Sequence, residues 1–246
     1  MPLYHPANKQ EFERLFIVYK QAYDQLMAKE QDRLVVLFNV RFRLTLGKRI
    51  QFDDSYSYTK TKNVKDTYRL LMRLNDAWFA YEALLALCEQ EGKVKLYKRK
   101  NKSYMAKPES FDSSHIQMFK LLPPVVHFNK QMAAYFFNKL KRMADLERLL
   151  QHLEDRTKGN TNRLVEQAKS RIQQVQQFDL KHILAIIYSI RNLYVHQGDA
   201  ARSGVKNYTT KLALLKMAYD FLILLITKVG TRVMNDKTKK LSKAAN

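Results

Sequence analysis

Three side chains late in the sequence could act together on a phosphate ester. Arg191, Asn192 and His196 fall within six residues of one another. Arginine presents a fixed cationic fork to phosphate oxygens. Histidine titrates near neutrality and can serve as general base or general acid. Asparagine carries a donor and an acceptor, so Asn192 can orient the imidazole or bond the phosphate itself. The overall charge points to the same class of ligand. The 246 residues include 44 Lys and Arg against 23 Asp and Glu, a net charge of +21. Such an excess costs self-repulsion, which a polyanion relieves by neutralisation and counterion release. Nucleic acid is the first candidate partner; a soluble protein with many surface lysines is the alternative.

The spacing around these residues predicts a helix from Leu180 to His196, ended by Gln197-Gly198-Asp199, with Asp179 as its cap. At about 100° per residue, Leu180, Ile183, Leu184, Ile187, Ile190 and Tyr194 form one apolar stripe, and Arg191 falls inside it. A guanidinium cannot shed its charge, so burying it demands an acidic partner or an anionic ligand. Asn192 and His196, four residues apart, line a different face with the small Ala185 and Ser189 near it. That face suits either a site or a close helix–helix contact. A second strong helix, Val64 to Glu91, shows a matching exception. Val64, Tyr68, Leu71, Trp78 and Leu85 define its stripe, yet Asn75 and Glu82 sit within it. The two helices are therefore expected to pack, with Glu82 reaching Arg191. The alternative is that both charges lie at stripe edges and extend to water.

The remaining elements also read as helix. Glu11 to Lys29 carries Phe12, Leu15, Phe16, Tyr19, Tyr23 and Leu26 at helical spacing. Leu34 to Leu46 alternates like a strand at its centre, but its flanks and the lack of partner strands favour helix. Gly47 to Asn63 is polar and reads as a linker. Gly92 suits a C-cap. Helices are expected over Val125 to Thr157, Arg163 to Gln177 and Tyr208 to Val229, and the lysine-rich tail is expected to be disordered. With 6 Gly and 5 Pro, the chain has too few turn residues for a sandwich, a barrel or a Gly-rich nucleotide fold. The fold class is all-α, a helical bundle. One cysteine, Cys88, excludes an internal disulfide framework and a multi-Cys zinc site. No basic stretch followed by an apolar run opens the chain, so no signal peptide is expected. Lys216, Asp220 and Lys228 interrupt the most apolar stretch, which reads as a buried helix rather than a membrane span. The expected setting is cytoplasmic.

Arg191-Asn192-Leu193-Tyr194-Val195-His196 resembles the signature of the HEPN superfamily (higher eukaryotes and prokaryotes nucleotide-binding). That signature is an Arg, usually a polar residue, and a His after a short gap. Trp78-Phe79-Ala80-Tyr81-Glu82-Ala83-Leu84-Leu85 looks like part of that superfamily's first core helix. The resemblance divides the chain into an N-terminal helical extension (1–50), a HEPN-like helical domain (63–230) with a basic insertion (93–124), and a basic tail (231–246). The insertion and the Gln-rich helix near Ile172 to Gln177 depart from the family pattern. The resemblance implies RNA as substrate and metal-independent endoribonuclease activity through the 2′-OH, plausible for a toxin or defence effector. It gives catalytic roles to Arg191, Asn192 and His196, with Glu82 holding Arg191 or tuning the site. It implies no cofactor and no metal, and products with a cyclic 2′,3′-phosphate and a 5′-hydroxyl. On an ideal helix Arg191 and His196 stand about 140° apart and about 7.5 Å along the axis. A homodimer is therefore expected to bring two copies of the motif around one cleft. The rival expectation is a noncatalytic RNA-binding or scaffold subunit of a nucleoprotein complex; an antitoxin partner would suit the first reading.

The basic insertion is a second candidate for RNA binding. Lys93, Lys95, Lys98, Arg99, Lys100, Lys102 and Lys107 interleave with Tyr97 and Tyr104. Lysines can track a phosphate backbone and tyrosines can stack on unpaired bases; a solvated loop is the alternative. Arg41 and Arg43 could join this basic surface. No Gly-rich phosphate loop, His-Glu-x-x-His or serine elbow occurs. His152 and Asp155 read as a surface pair, Asp53-Asp54 as turn residues, and Cys88 as a small core residue.

Overall fold

Helical periodicity becomes helix throughout the described part of the chain. The computed structural model describes residues 6–46, 62–92, 134, 136–176, 180–198, 203–206 and 208–245. These form α1 (Pro6–Met27), α2 (Arg33–Thr45), α3 (Lys62–Gln90), α4 (Leu146–Arg156), α5 (Gly159–Gln173), α6 (Leu180–Gln197) and α7 (Tyr208–Ala244). A short helical stretch covers 136–140, and no strand occurs among the described residues. The chain is an all-α helical bundle. Helix α3 packs most extensively along α7; α2 lies on α3 and α1 on α7. On the other side α5 joins α4 to α6, and α6 reaches α3. None of the described helices is long and apolar enough to cross a membrane.

The alternating segment resolves as helix because its ends and its inner face agree. Asp32 caps α2, its Oδ1 accepting from the backbone N–H of Leu34 (2.7 Å) and Val35 (3.2 Å). Val35, Phe38 and Phe42 then recur on one buried face. They meet Tyr19 of α1, which sits edge-on to Phe42 at 5.0 Å and donates a hydrogen bond to Asn39 Oδ1 at 3.0 Å. The other end of α3 behaves as its glycine suggests. Gly92 takes φ +65°, and its N–H returns to the Glu89 carbonyl at 2.9 Å.

Three expectations need correction. First, the N-terminal extension shares its core with the helical domain: Tyr19, Leu26, Val35, Phe38 and Phe42 belong to the same core cluster as Trp78, Ile187 and Phe221. Second, one helix does not fill Val125 to Thr157. Within its described part, a turn with Asp145 at φ +59° separates 136–140 from α4, and α5 begins at Gly159 rather than Arg163. Third, the final helix does not end at Val229, and the tail 231–246 is helical through Ala244. Gly230 is a packing residue rather than a stop. A Cβ there would lie 2.8 Å from Phe38 Cζ, so α2 and α7 approach closely at this point.

Charge explains why the basic tail stays on the body. Lys237 is buried and pairs with Asp32, with Glu91 at 3.2 Å and with Glu30 at 3.8 Å. Lys240 adds a second contact to Glu91 at 2.9 Å. Burial pushes the Asp32 carboxyl up, but hydrogen bonds from Lys237, Val35 and Leu34 outweigh it and hold the group below the usual carboxylate range. Its stabilising contribution is thus present at neutral pH and is lost as pH falls through its depressed pKa. Asp220 on α7 is the opposite case. Its Oδ1 is buried with no hydrogen-bond partner among the described residues, and burial, opposed by Lys216, raises the carboxyl to about 9.

Two expected outcomes follow from these charges. Lys237→Met leaves Asp32 and Glu91 short of their buried cation, a change that costs about 3 kcal/mol and lowers Tm by about 10 °C. Thermal denaturation near neutral pH checks this, and an unchanged Tm contradicts it. Asp220 retains its proton in the folded state at a pH where the unfolded chain has released it. The fold therefore loses stability as pH rises from the ordinary carboxylate range towards about 9. Asp220→Asn should raise Tm at about pH 8 by several degrees, with the gain fading towards about pH 4.

Candidate functional site

Helix α6 is enclosed, and its C-terminal end is where polar chemistry emerges. Ile183, Leu184, Ile186, Ile187, Ile190 and Leu193 are buried. Ala185 and Ser189 are buried too, with the Ser189 hydroxyl donating to the Ala185 carbonyl at 2.7 Å. The small face is therefore used inside the chain and is not open to a second copy. From residue 191 onward the helix leaves the core: Arg191 and Asn192 are half-buried and His196 is exposed.

Arg191 gathers the site. Its Nε donates to Asn75 Oδ1 of α3 at 3.2 Å. Its Nη1 donates to Asn192 Oδ1 at 3.1 Å and lies 3.3 Å from His196 Nε2. For Nε2 to accept that bond the imidazole must be neutral, with its proton on Nδ1. The expected separation of Arg191 from His196 is thereby corrected. The wheel measures backbone directions, whereas side chains lean towards the helix N-terminus and arginine is long. His196 can fold back over the preceding turn, and the guanidinium spans the rest within a single chain.

The packing of α3 on α6 is as expected, but the partner of Arg191 is not. No carboxylate among the described residues pairs directly with the guanidinium. Glu82 instead accepts a hydrogen bond from Trp78 Nε1 at 2.7 Å. Burial pushes its carboxyl up, while the Trp78 bond and the charges of Arg191 and Arg41 pull it back. Glu82 thus acts on Arg191 through its field. The ring of Phe79 supplies the contact, with Arg191 Cζ 5.2 Å from its centroid. Asn75, Phe79 and Glu82 stand at i, i+4 and i+7 on α3. That spacing was available in the sequence and marks the face that meets Arg191; Phe79 escaped notice because an aromatic at helical spacing reads as core.

Other candidates fall elsewhere. Lys93, Lys95, Tyr97, Lys98, Arg99, Lys100, Lys102 and Tyr104 lie outside the described residues, as do Asp53, Asp54 and Asp179. Cys88 is buried in the core. Asp155 accepts from Gln151 at 2.7 Å. Among the described residues no group of three His, Cys, Asp or Glu is arranged to hold a metal ion. No protein-family model, curated protein or solved structure matches the chain.

Asn75 is the polar link between α3 and Arg191. Asn75→Ala should destabilise the fold by about 1 kcal/mol, because a half-buried charged donor loses its acceptor. Urea denaturation with an unchanged m-value measures that loss. A midpoint equal to that of the wild type would show that the contact contributes nothing.

Proposed function

We propose that this protein is a HEPN-like endoribonuclease that cleaves RNA through attack of the ribose 2′-OH. The reading is supported above all by one observation: Arg191, Asn192 and His196 converge at the exposed end of α6, with Arg191 Nη1 3.3 Å from His196 Nε2. A scissile phosphate placed there would meet a guanidinium that neutralises its developing charge. The imidazole could take the 2′-OH proton. The products would carry a cyclic 2′,3′-phosphate and a 5′-hydroxyl, and the step asks for no divalent metal. Attack and departure each need a proton transfer, whereas the described residues of one chain offer one imidazole at this place. A homodimer pairing two α6 ends would supply the second. The net charge of +21 favours a polyanionic substrate, and the role of toxin or defence effector follows the family resemblance.

RNA binding without cleavage is the second reading, and one observation favours it. Arg191 already engages the imidazole Nε2, so in this arrangement that nitrogen is not open to take the 2′-OH proton. Labelled RNA incubated with protein in chelator separates the two. The wild type should cleave, and both Arg191→Ala and His196→Ala should slow cleavage by about 100-fold or more. His196→Ala should still bind RNA. Binding by the wild type without cleavage would decide for the second reading.

A further inference from the structure

A second cation beside this site comes from outside the helices that carry the motif. Arg41 projects from α2, which lies on α3, and its Cζ stands 5.1 Å from the centroid of Phe79. Arg191 stands 5.2 Å from that same centroid. Two guanidiniums are thus held around one ring, although like charges repel. The negative face of the aromatic ring offsets part of that repulsion. The half-buried Glu82 carboxyl senses both cations, and Asp76 senses Arg41. Neither arginine forms an ion pair with a carboxylate among the described residues. Arg41 is exposed, and a guanidinium carries five donors that can meet an anion. Two forks held by a common ring, neither neutralised by a carboxylate among the described residues, suit two anionic groups linked in one ligand.

We infer that Arg41 is a substrate-positioning residue that grips the phosphate next to the one Arg191 engages, so that α2, Phe79 and α6 together hold two successive phosphates of single-stranded RNA. The inference rests on the proposed ribonuclease reading, and it adds a contact from residues 1–50, which the motif does not reach. Arg191 would face the reacting phosphate, Arg41 would set the path of the strand, and Phe79 would fix the spacing between them.

The test is RNA binding by the full chain across a range of salt concentrations. The probe is a fluorescent 2′-O-methyl oligoribonucleotide, which cannot be cut through its own 2′-oxygen. Each phosphate neutralised on a single strand contributes about 0.7 to the slope of log K against log salt. Arg41→Ala should weaken binding by about 3- to 10-fold and reduce that slope by about 0.7. Arg14→Ala, an exposed residue on α1 with the same charge change, should leave the slope unaltered. Arg41→Lys should restore the slope but not the full affinity, since an ammonium keeps the charge and loses the planar fork. With cleavable RNA, Arg41→Ala should raise KM and leave kcat near its wild-type value. Equal losses from Arg41→Ala and Arg14→Ala would overturn the inference, because general charge would then explain them. So would a wild-type slope in Arg41→Ala; if Arg191→Ala still abolished cleavage, the ribonuclease reading would survive alone. If the wild type neither binds nor cuts RNA, both fall together.

Discussion

One carboxylate ties three distant parts of this chain together. Asp32 caps α2 with Oδ1, while Oδ2 meets Lys237 near the end of α7 and Gln90 at the end of α3 (3.3 Å). Removing a charge from water is costly unless its partners are in place. Here the backbone N–H groups and the Lys237 ammonium both satisfy it. The same contact holds the lysine-rich end of α7 against the start of α2 and the end of α3. Arg41 lies further along α2, over Phe79 of α3.

The candidate site obeys the complementary constraint. Arg191 remains charged wherever it is placed, and it stands where α6 leaves the core. Its charge is met by neutral amide oxygens, an imidazole and an aromatic face, with Glu82 acting from further away. Neutral acceptors orient a guanidinium without cancelling its charge. A full ion pair would have competed with an incoming phosphate. The half-satisfied state of Arg191 is what makes phosphate binding a sensible reading of the geometry.

The composite-dimer expectation separates into two questions. Bringing an arginine to a histidine requires only one chain, because side-chain length covers what the helical wheel suggested was too far. Supplying two proton-transfer groups at one phosphate still motivates a second subunit. The small face once available for that contact is not, since Ala185 and Ser189 are buried within the bundle. Any pairing of α6 ends would have to use the exposed residues after Leu193, where Val195, His196 and Gln197 reach solvent.

Local patterns settled much of this protein in advance. Apolar spacing of three and four residues, scarce glycine and proline, and a cap at Gly92 were enough for an all-α reading and for the packing of α3 on α6. The motif Arg191, Asn192 and His196 was legible because all three share one helix, but its convergence within one chain was not. The residue-level contacts between helices were not legible. No linear rule tells that Phe79 faces both Arg41 and Arg191, that Lys237 finds Asp32 across 205 positions, or that Gly230 yields room to Phe38 rather than ending a helix. Periodicity reports which face of an element is apolar; the register at which two such faces meet is a property of their joint packing. Only the assembled bundle decides that register, and with it which charges become neighbours.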